Sequence, residues 1–153
     1  MSAEDKLREL GLQLPPPPQP AGAYTPAVKS MDLIFVSGQL PLAEGQIQYA
    51  GTLGVDLDVD AGYAAARLCA LNALSVLKAE VGTLEAITII RLGGYVASTA
   101  EFCDQAKVIN GASDLMAAVL GESGIHARLA VGTTSLPLGA AVELEVIAAT
   151  RVV

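Results

Sequence analysis

The segment Val142-Glu143-Leu144-Glu145-Val146-Ile147-Ala148 alternates apolar and charged residues with a period of two over its first five positions. Successive side chains of an extended strand point to opposite faces, so Val142, Leu144 and Val146 share one face and Glu143 and Glu145 the other. Such a strand belongs in a sheet covered by helices on one side only. Only 16% of the chain is charged, so carboxylates inside its most apolar stretch need a reason. A second apolar run, His126-Ala127-Arg128-Leu129-Ala130-Val131, carries one arginine near its start. Pro137-Leu138-Gly139 lies between the runs and reads as the turn of an antiparallel pair, which predicts Arg128 and Glu143 on adjacent strands. Two readings stay open at this point. One is a structural ion pair; the other is a planar cation that grips a carboxylate beside an acid/base that handles water.

The rest of the chain supplies the covering layer. Val59 to Val81 carries Ala66, Ala70, Leu74, Leu77 and Val81 on one helical stripe, with Arg67, Lys78 and Glu80 off it and Gly82 as the stop. A second helix is predicted over Glu101 to Leu120, capped by Thr99 or Ser98, with Cys103 in its first turn. Leu33 to Leu40 reads as a buried strand, and Ala86 to Val96 as another, with Gly93-Gly94 marking a bulge or a close backbone approach. A short helix over Glu4 to Leu12 and a stiff arm from Pro15 to Pro20 precede them, the arm packing over the domain or a neighbour. The order is ββ(β)-α-β-α-ββ, which folds as an α+β, two-layer sandwich: a mainly antiparallel sheet with both helices on one face. Residues 1–21 form an N-terminal extension and 22–153 a single domain.

Composition narrows the function. The chain has 52% hydrophobic residues and a mean hydropathy of +0.50, more apolar material than a small monomer hides, which predicts burial between subunits. A net charge of −7 with dispersed lysines and arginines argues against nucleic acid as a partner. Cys69 and Cys103 lack metal-ligand spacing, and a single histidine, His126, cannot complete a zinc site. No run is long and apolar enough for a membrane span, and the charged start lacks a signal-peptide core, so a cytoplasmic protein is expected.

Gly22-Ala23-Tyr24, Phe35-Val36-Ser37-Gly38-Gln39-Leu40-Pro41, Asn110, Ala127-Arg128 and the Val142–Ala148 run stand in register with the Rid (reactive intermediate deaminase, YjgF-like) family. The chain resembles that family from Gly22 to Arg151. The resemblance implies a chorismate-mutase-like fold, a homotrimer whose sheets line a central barrel, and ligand clefts between subunits. It implies that Arg128 binds a substrate carboxylate, that Glu143 handles the hydrolytic water, and that Tyr24, Ser37, Gly38 and Asn110 shape the cleft. Glu145 is expected at subunit contacts and His126 beside the site. The cysteine that many members carry two residues after the arginine is Ala130 here, and the Pro-rich extension resembles a longer, less characterised branch. The activity implied is that of a 2-iminobutanoate/2-iminopropanoate deaminase: hydrolysis of small 2-imino acids, or their enamine tautomers, to 2-oxo acids and ammonia, with neither metal nor cofactor. A non-catalytic binder of small carboxylate metabolites is the alternative. A ribonuclease or translation inhibitor is a third class, disfavoured by charge.

Overall fold

The computed structural model describes residues 1–19 and 23–151; Pro20, Ala21 and Gly22 of the predicted arm and motif lie outside the described residues, as do Val152 and Val153. Among the described residues, three α-helices, α1 (Ala3–Glu9), α2 (Val59–Val81) and α3 (Gln105–Leu120), accompany seven strands. These are β1 (Ala27–Ser30), β2 (Leu33–Gln39), β3 (Leu42–Ala43), β4 (Gln46–Ile47), β5 (Ile87–Ala97), β6 (Ala127–Thr133) and β7 (Val142–Thr150). The main sheet runs β1-β2-β7-β5-β6, and β3 and β4 form a separate small hairpin. All its pairings are antiparallel except β5 with β6, whose parallel crossover is made through α3.

The α2 boundaries follow the apolar stripe. Asp58 caps the start by accepting from the Ala61 amide at 2.8 Å, and Gly82 ends the helix at φ 83°, in the left-handed region glycine favours. Ala66, Ala70, Leu74 and Leu77 are fully buried, packed on the sheet face that carries Val142, Leu144 and Val146. Helices α2 and α3 approach closely at Gly111, where a Cβ would lie 2.0 Å from the Tyr63 carbonyl oxygen. Helix α1 joins the same core through Ala3 and Leu7, and the Pro-rich arm is tied to α2 by the Ser75 hydroxyl, which donates to the Pro15 carbonyl at 2.5 Å.

Several expectations are corrected. Strands β6 and β7 are not a hairpin: β5 lies between them, because it pairs with β6 on one edge and with β7 on the other. Pro137–Gly139 is a 3-10 turn within a longer connection that carries the chain past β5. The double-sided pairing of β7 gives its alternating pattern a central place, whereas β6 is the exposed edge. Helix α1 ends at Glu9, and α3 starts at Gln105 behind Asp104; Ser98 and Thr99 belong to the preceding loop, and Cys103 is exposed there. Strand β2 is half-buried, with Leu33 and Phe35 on the open face. The Gly93-Gly94 pair serves close approach, since Cβ atoms there would strike Glu145 and Ile109, and the β5 irregularity falls earlier, between Ile89 and Arg91.

Candidate functional site

Strand register assigns each predicted residue to a face. Arg128 pairs with the fully buried Leu92 and Ala130 with Gly94, so Arg128 stands on the helix side of the sheet. Leu144 also pairs with Gly94, which puts Leu144 on the helix side and its neighbour Glu143 on the open side. Arg128 and Glu143 are therefore two strands apart, roughly 10 Å at ordinary strand spacing, and on opposite faces. The predicted adjacency does not hold, and the structural ion pair between them is excluded.

Arg128 is the centre of one cluster. Its Nη1 donates to Asn110 Oδ1 at 2.7 Å and to Ser113 Oγ at 3.2 Å. Asn110 and Ser113 sit three residues apart on α3, hence on one face of the helix. The Ser113 hydroxyl is also 2.9 Å from His126 Nε2, and His126 Nδ1 is 2.6 Å from the Gly124 carbonyl. A carbonyl only accepts, so Nδ1 carries the proton there; in the neutral ring Nε2 then accepts from the Ser113 hydroxyl, whose oxygen accepts from Arg128. Both Nη1 hydrogens are thereby used, and the Nε–Nη2 edge of this exposed guanidinium has no partner among the described residues. That edge has the geometry of a carboxylate fork. Ser113 was not foreseen; its i+3 spacing from Asn110 is the signal that could have found it.

Glu143 is the centre of the other. It is half-buried on the open face, and desolvation followed by the neighbouring Glu145 charge raises its pKa above the usual glutamate range. Strand β2 gains one residue between Val36 and Gln39 relative to β7, and this bulge contains Ser37 and Gly38. A Cβ on Gly38 would lie 2.2 Å from Glu143 Oε1, so only glycine leaves that carboxylate where it is. The Ser37 hydroxyl donates to the Thr25 carbonyl at 2.7 Å and its amide to the Pro26 carbonyl at 2.8 Å, which fastens the segment after the exposed Tyr24 to the bulge. Glu145 meets its own chain: Arg91 Nη1 at 3.2 Å and the Tyr95 hydroxyl at 3.5 Å.

The structure thus unites Arg128 with Asn110, and Glu143 with Gly38 and Ser37, but leaves the two groups apart within one chain. Among the described residues, no three His, Cys, Asp or Glu side chains converge as metal ligands, and no helix is long and apolar enough to cross a membrane.

The chain resembles known proteins over nearly all its length. Residues 4–149 match the family model described as "YjgF/chorismate_mutase-like, putative endoribonuclease". Protein TCP17 of Trypanosoma cruzi is 44% identical over 141 residues, covering 91% of this chain and 88% of that protein. The crystal structure of Atu1372 from Agrobacterium tumefaciens, whose function is unknown, superposes with a TM-score of 0.92 at 48% identity, over 97% of this chain and 92% of that one. A structure from Shewanella oneidensis MR-1 called a "putative endoribonuclease" gives 0.93 at 35% identity, over 97% and 99% of the two chains. The α+β architecture, the matched residues and these relatives together show that the chain belongs to the YjgF/chorismate-mutase-like, or Rid, family.

Proposed function

We propose that the protein hydrolyses small 2-imino acids, or their enamine tautomers, to 2-oxo acids and ammonia in a cleft between subunits of a homotrimer. The observation that carries this reading is the guanidinium of Arg128, held along one edge by Asn110 and Ser113 and open along the other. The open edge receives the substrate carboxylate by a two-point fork. Glu143 of an adjoining chain faces the imine carbon, because the two residues occupy opposite faces of their own sheet. The apolar residues of the open face, Leu33, Phe35 and Leu129, supply surface for that assembly.

With the substrate as its protonated imine, water adds to the carbon while Glu143 takes one water proton, giving a neutral carbinolamine. Glu143 then returns that proton to nitrogen, the C–N bond breaks as C=O forms, and the hydroxyl proton departs with ammonia as ammonium. One water is consumed and one ammonia released. A carboxylate with raised proton affinity suits both directions of that transfer. Imines hydrolyse readily in water, so orientation and one proton shuttle are the contributions required of the protein.

The name endoribonuclease attached to a relative fits this chain poorly, because its net charge of −7 repels a polyanion. A non-catalytic carboxylate binder would use the Arg128 fork but would have no need of Glu143. The test is ammonia and 2-oxo acid release from freshly generated 2-iminobutanoate. Acceleration above the buffer rate that disappears in Arg128→Ala supports the reading; a rate equal to buffer at micromolar protein contradicts it.

A further inference from the structure

A cavity of ≈ 250 Å³ lies away from Arg128, between α2, α3 and the segment that follows β4. Its floor is aliphatic: Leu68 and Leu71 from α2, Leu115 from α3 and Leu12 from the N-terminal segment. Arg67 and Tyr49 complete the lining. Leu115 is two residues from Ser113, a spacing that puts the two side chains on different sides of α3, so this cavity and the Arg128 cluster do not merge.

Arg67 is the anomaly. It is half-buried, yet among the described residues it makes no hydrogen bond to a side chain and no ion pair. Arg8, Arg91, Arg128 and Arg151 each have a bonded partner. Asp114 of α3 accepts from the Tyr63 hydroxyl at 2.8 Å and, among the described residues, forms no ion pair with Arg67. A half-buried cation beside leucines, without an ion-pair partner among the described residues in a chain with 16 aspartates and glutamates, is open to an anion from solution. Tyr49 adds a second sign of construction. Its backbone sits at φ 58°, in the left-handed region that non-glycine residues rarely adopt, and the Ala141 amide clamps its carbonyl at 3.1 Å.

We propose that this cavity binds a short aliphatic monocarboxylate, with Arg67 pairing the carboxylate and Leu68, Leu71 and Leu115 covering the tail. The site is separate from the one assigned to imine hydrolysis and stands whether or not that reaction occurs. Charge selects the anion, and the leucine floor selects an apolar body over a polar one.

Calorimetric titration of the full chain with hexanoate tests it, with hexanamide as the neutral control. The expected result is a saturable hexanoate site, one per chain, that is weakened at least roughly tenfold by Arg67→Gln and is still present in Arg128→Ala. Hexanamide should bind at least roughly tenfold more weakly than hexanoate. Ala64→Phe, which places a ring in the cavity and leaves Arg67 intact, should also abolish binding, and it decides the matter if Arg67→Gln folds poorly. Absence of saturable hexanoate binding, equal binding of the amide, or loss of binding in Arg128→Ala but not in Arg67→Gln or Ala64→Phe would overturn the proposal.

Discussion

Arg128 and Glu143 stand on opposite faces of one sheet, with β5 between their strands. Neither neutralises the other. Each is supported by its own neighbours: Asn110 and Ser113 for the arginine, the Gly38 bulge for the glutamate. The consequences for stability and for activity can therefore be separated.

Arg128→Ala should remove imine turnover while costing little stability. The side chain is exposed and bonded only to neutral groups, so its loss leaves no buried charge behind and should cost within about 1 kcal/mol. Turnover should fall on the order of 100-fold or more, as for a misplaced substrate. Arg128→Lys should recover little of it, because an ammonium lacks the planar fork. Melting temperature and ammonia release, measured side by side, check both halves; a large melting loss with activity retained would refute the assignment.

Glu143→Gln should behave differently with pH. Burial and the Glu145 charge raise the folded pKa of Glu143 above its ordinary 4.5, so between those values the native chain holds more protons than the unfolded one. Its contribution to stability is then fully present in acid and is lost as pH rises through the raised pKa. The glutamine variant has no such loss. Its melting temperature should exceed that of the wild type at pH 8 by more than at pH 4. In the wild type, kcat/KM should decline on the acid side at a pH above the usual glutamate range, the ionised base being the active form.

Gly38→Ala offers a steric test of Glu143. The added methyl's nearest neighbours would be atoms of the flexible Glu143 side chain, and the backbone there is not in the left-handed region. The variant should fold with a melting temperature near wild type and lose much of its turnover as the carboxylate is displaced. Unchanged kcat/KM would separate Glu143 from the chemistry.

RNA should not be a substrate. Electrostatic affinity for a phosphate backbone needs clustered cations, and this chain has nine lysines and arginines against 16 carboxylates. Filter binding at about 150 mM salt should give no sub-micromolar affinity; tight binding, or cleavage by the pure protein, would contradict the charge argument.

Legibility in the sequence followed the range of the forces. The α2 boundaries were readable because stripe, cap and stop are local signals, all met within Asp58 to Gly82. The faces of β7 were readable from its alternation. Strand neighbours were not, because Pro137-Leu138-Gly139 suggests a hairpin locally while β5, forty-odd residues earlier, competes for the same edge and wins. The α3 start was misplaced since Thr99 resembles a cap but its amide donates to the Leu53 carbonyl, and Asp104 begins the helix without a side-chain cap. That Arg128 and Asn110 belong to one place was legible through family resemblance, and they are hydrogen-bonded to each other, whereas the Ser113 and His126 contacts beside the arginine needed the packed helix.

The central claim is that Arg128 of one chain and Glu143 of another act on one substrate. Mixing Arg128→Ala with Glu143→Gln subunits tests it directly, after partial unfolding and reassembly or by co-expression. Each variant alone should be inactive, and random mixing should restore about one cleft in four, because some clefts then take their arginine and their glutamate from intact chains. Ammonia release approaching a quarter of the wild-type rate is the predicted result. A mixture as inactive as its separate components, with mixed trimers verified by mass, would show that both residues must come from the same chain and would contradict the account.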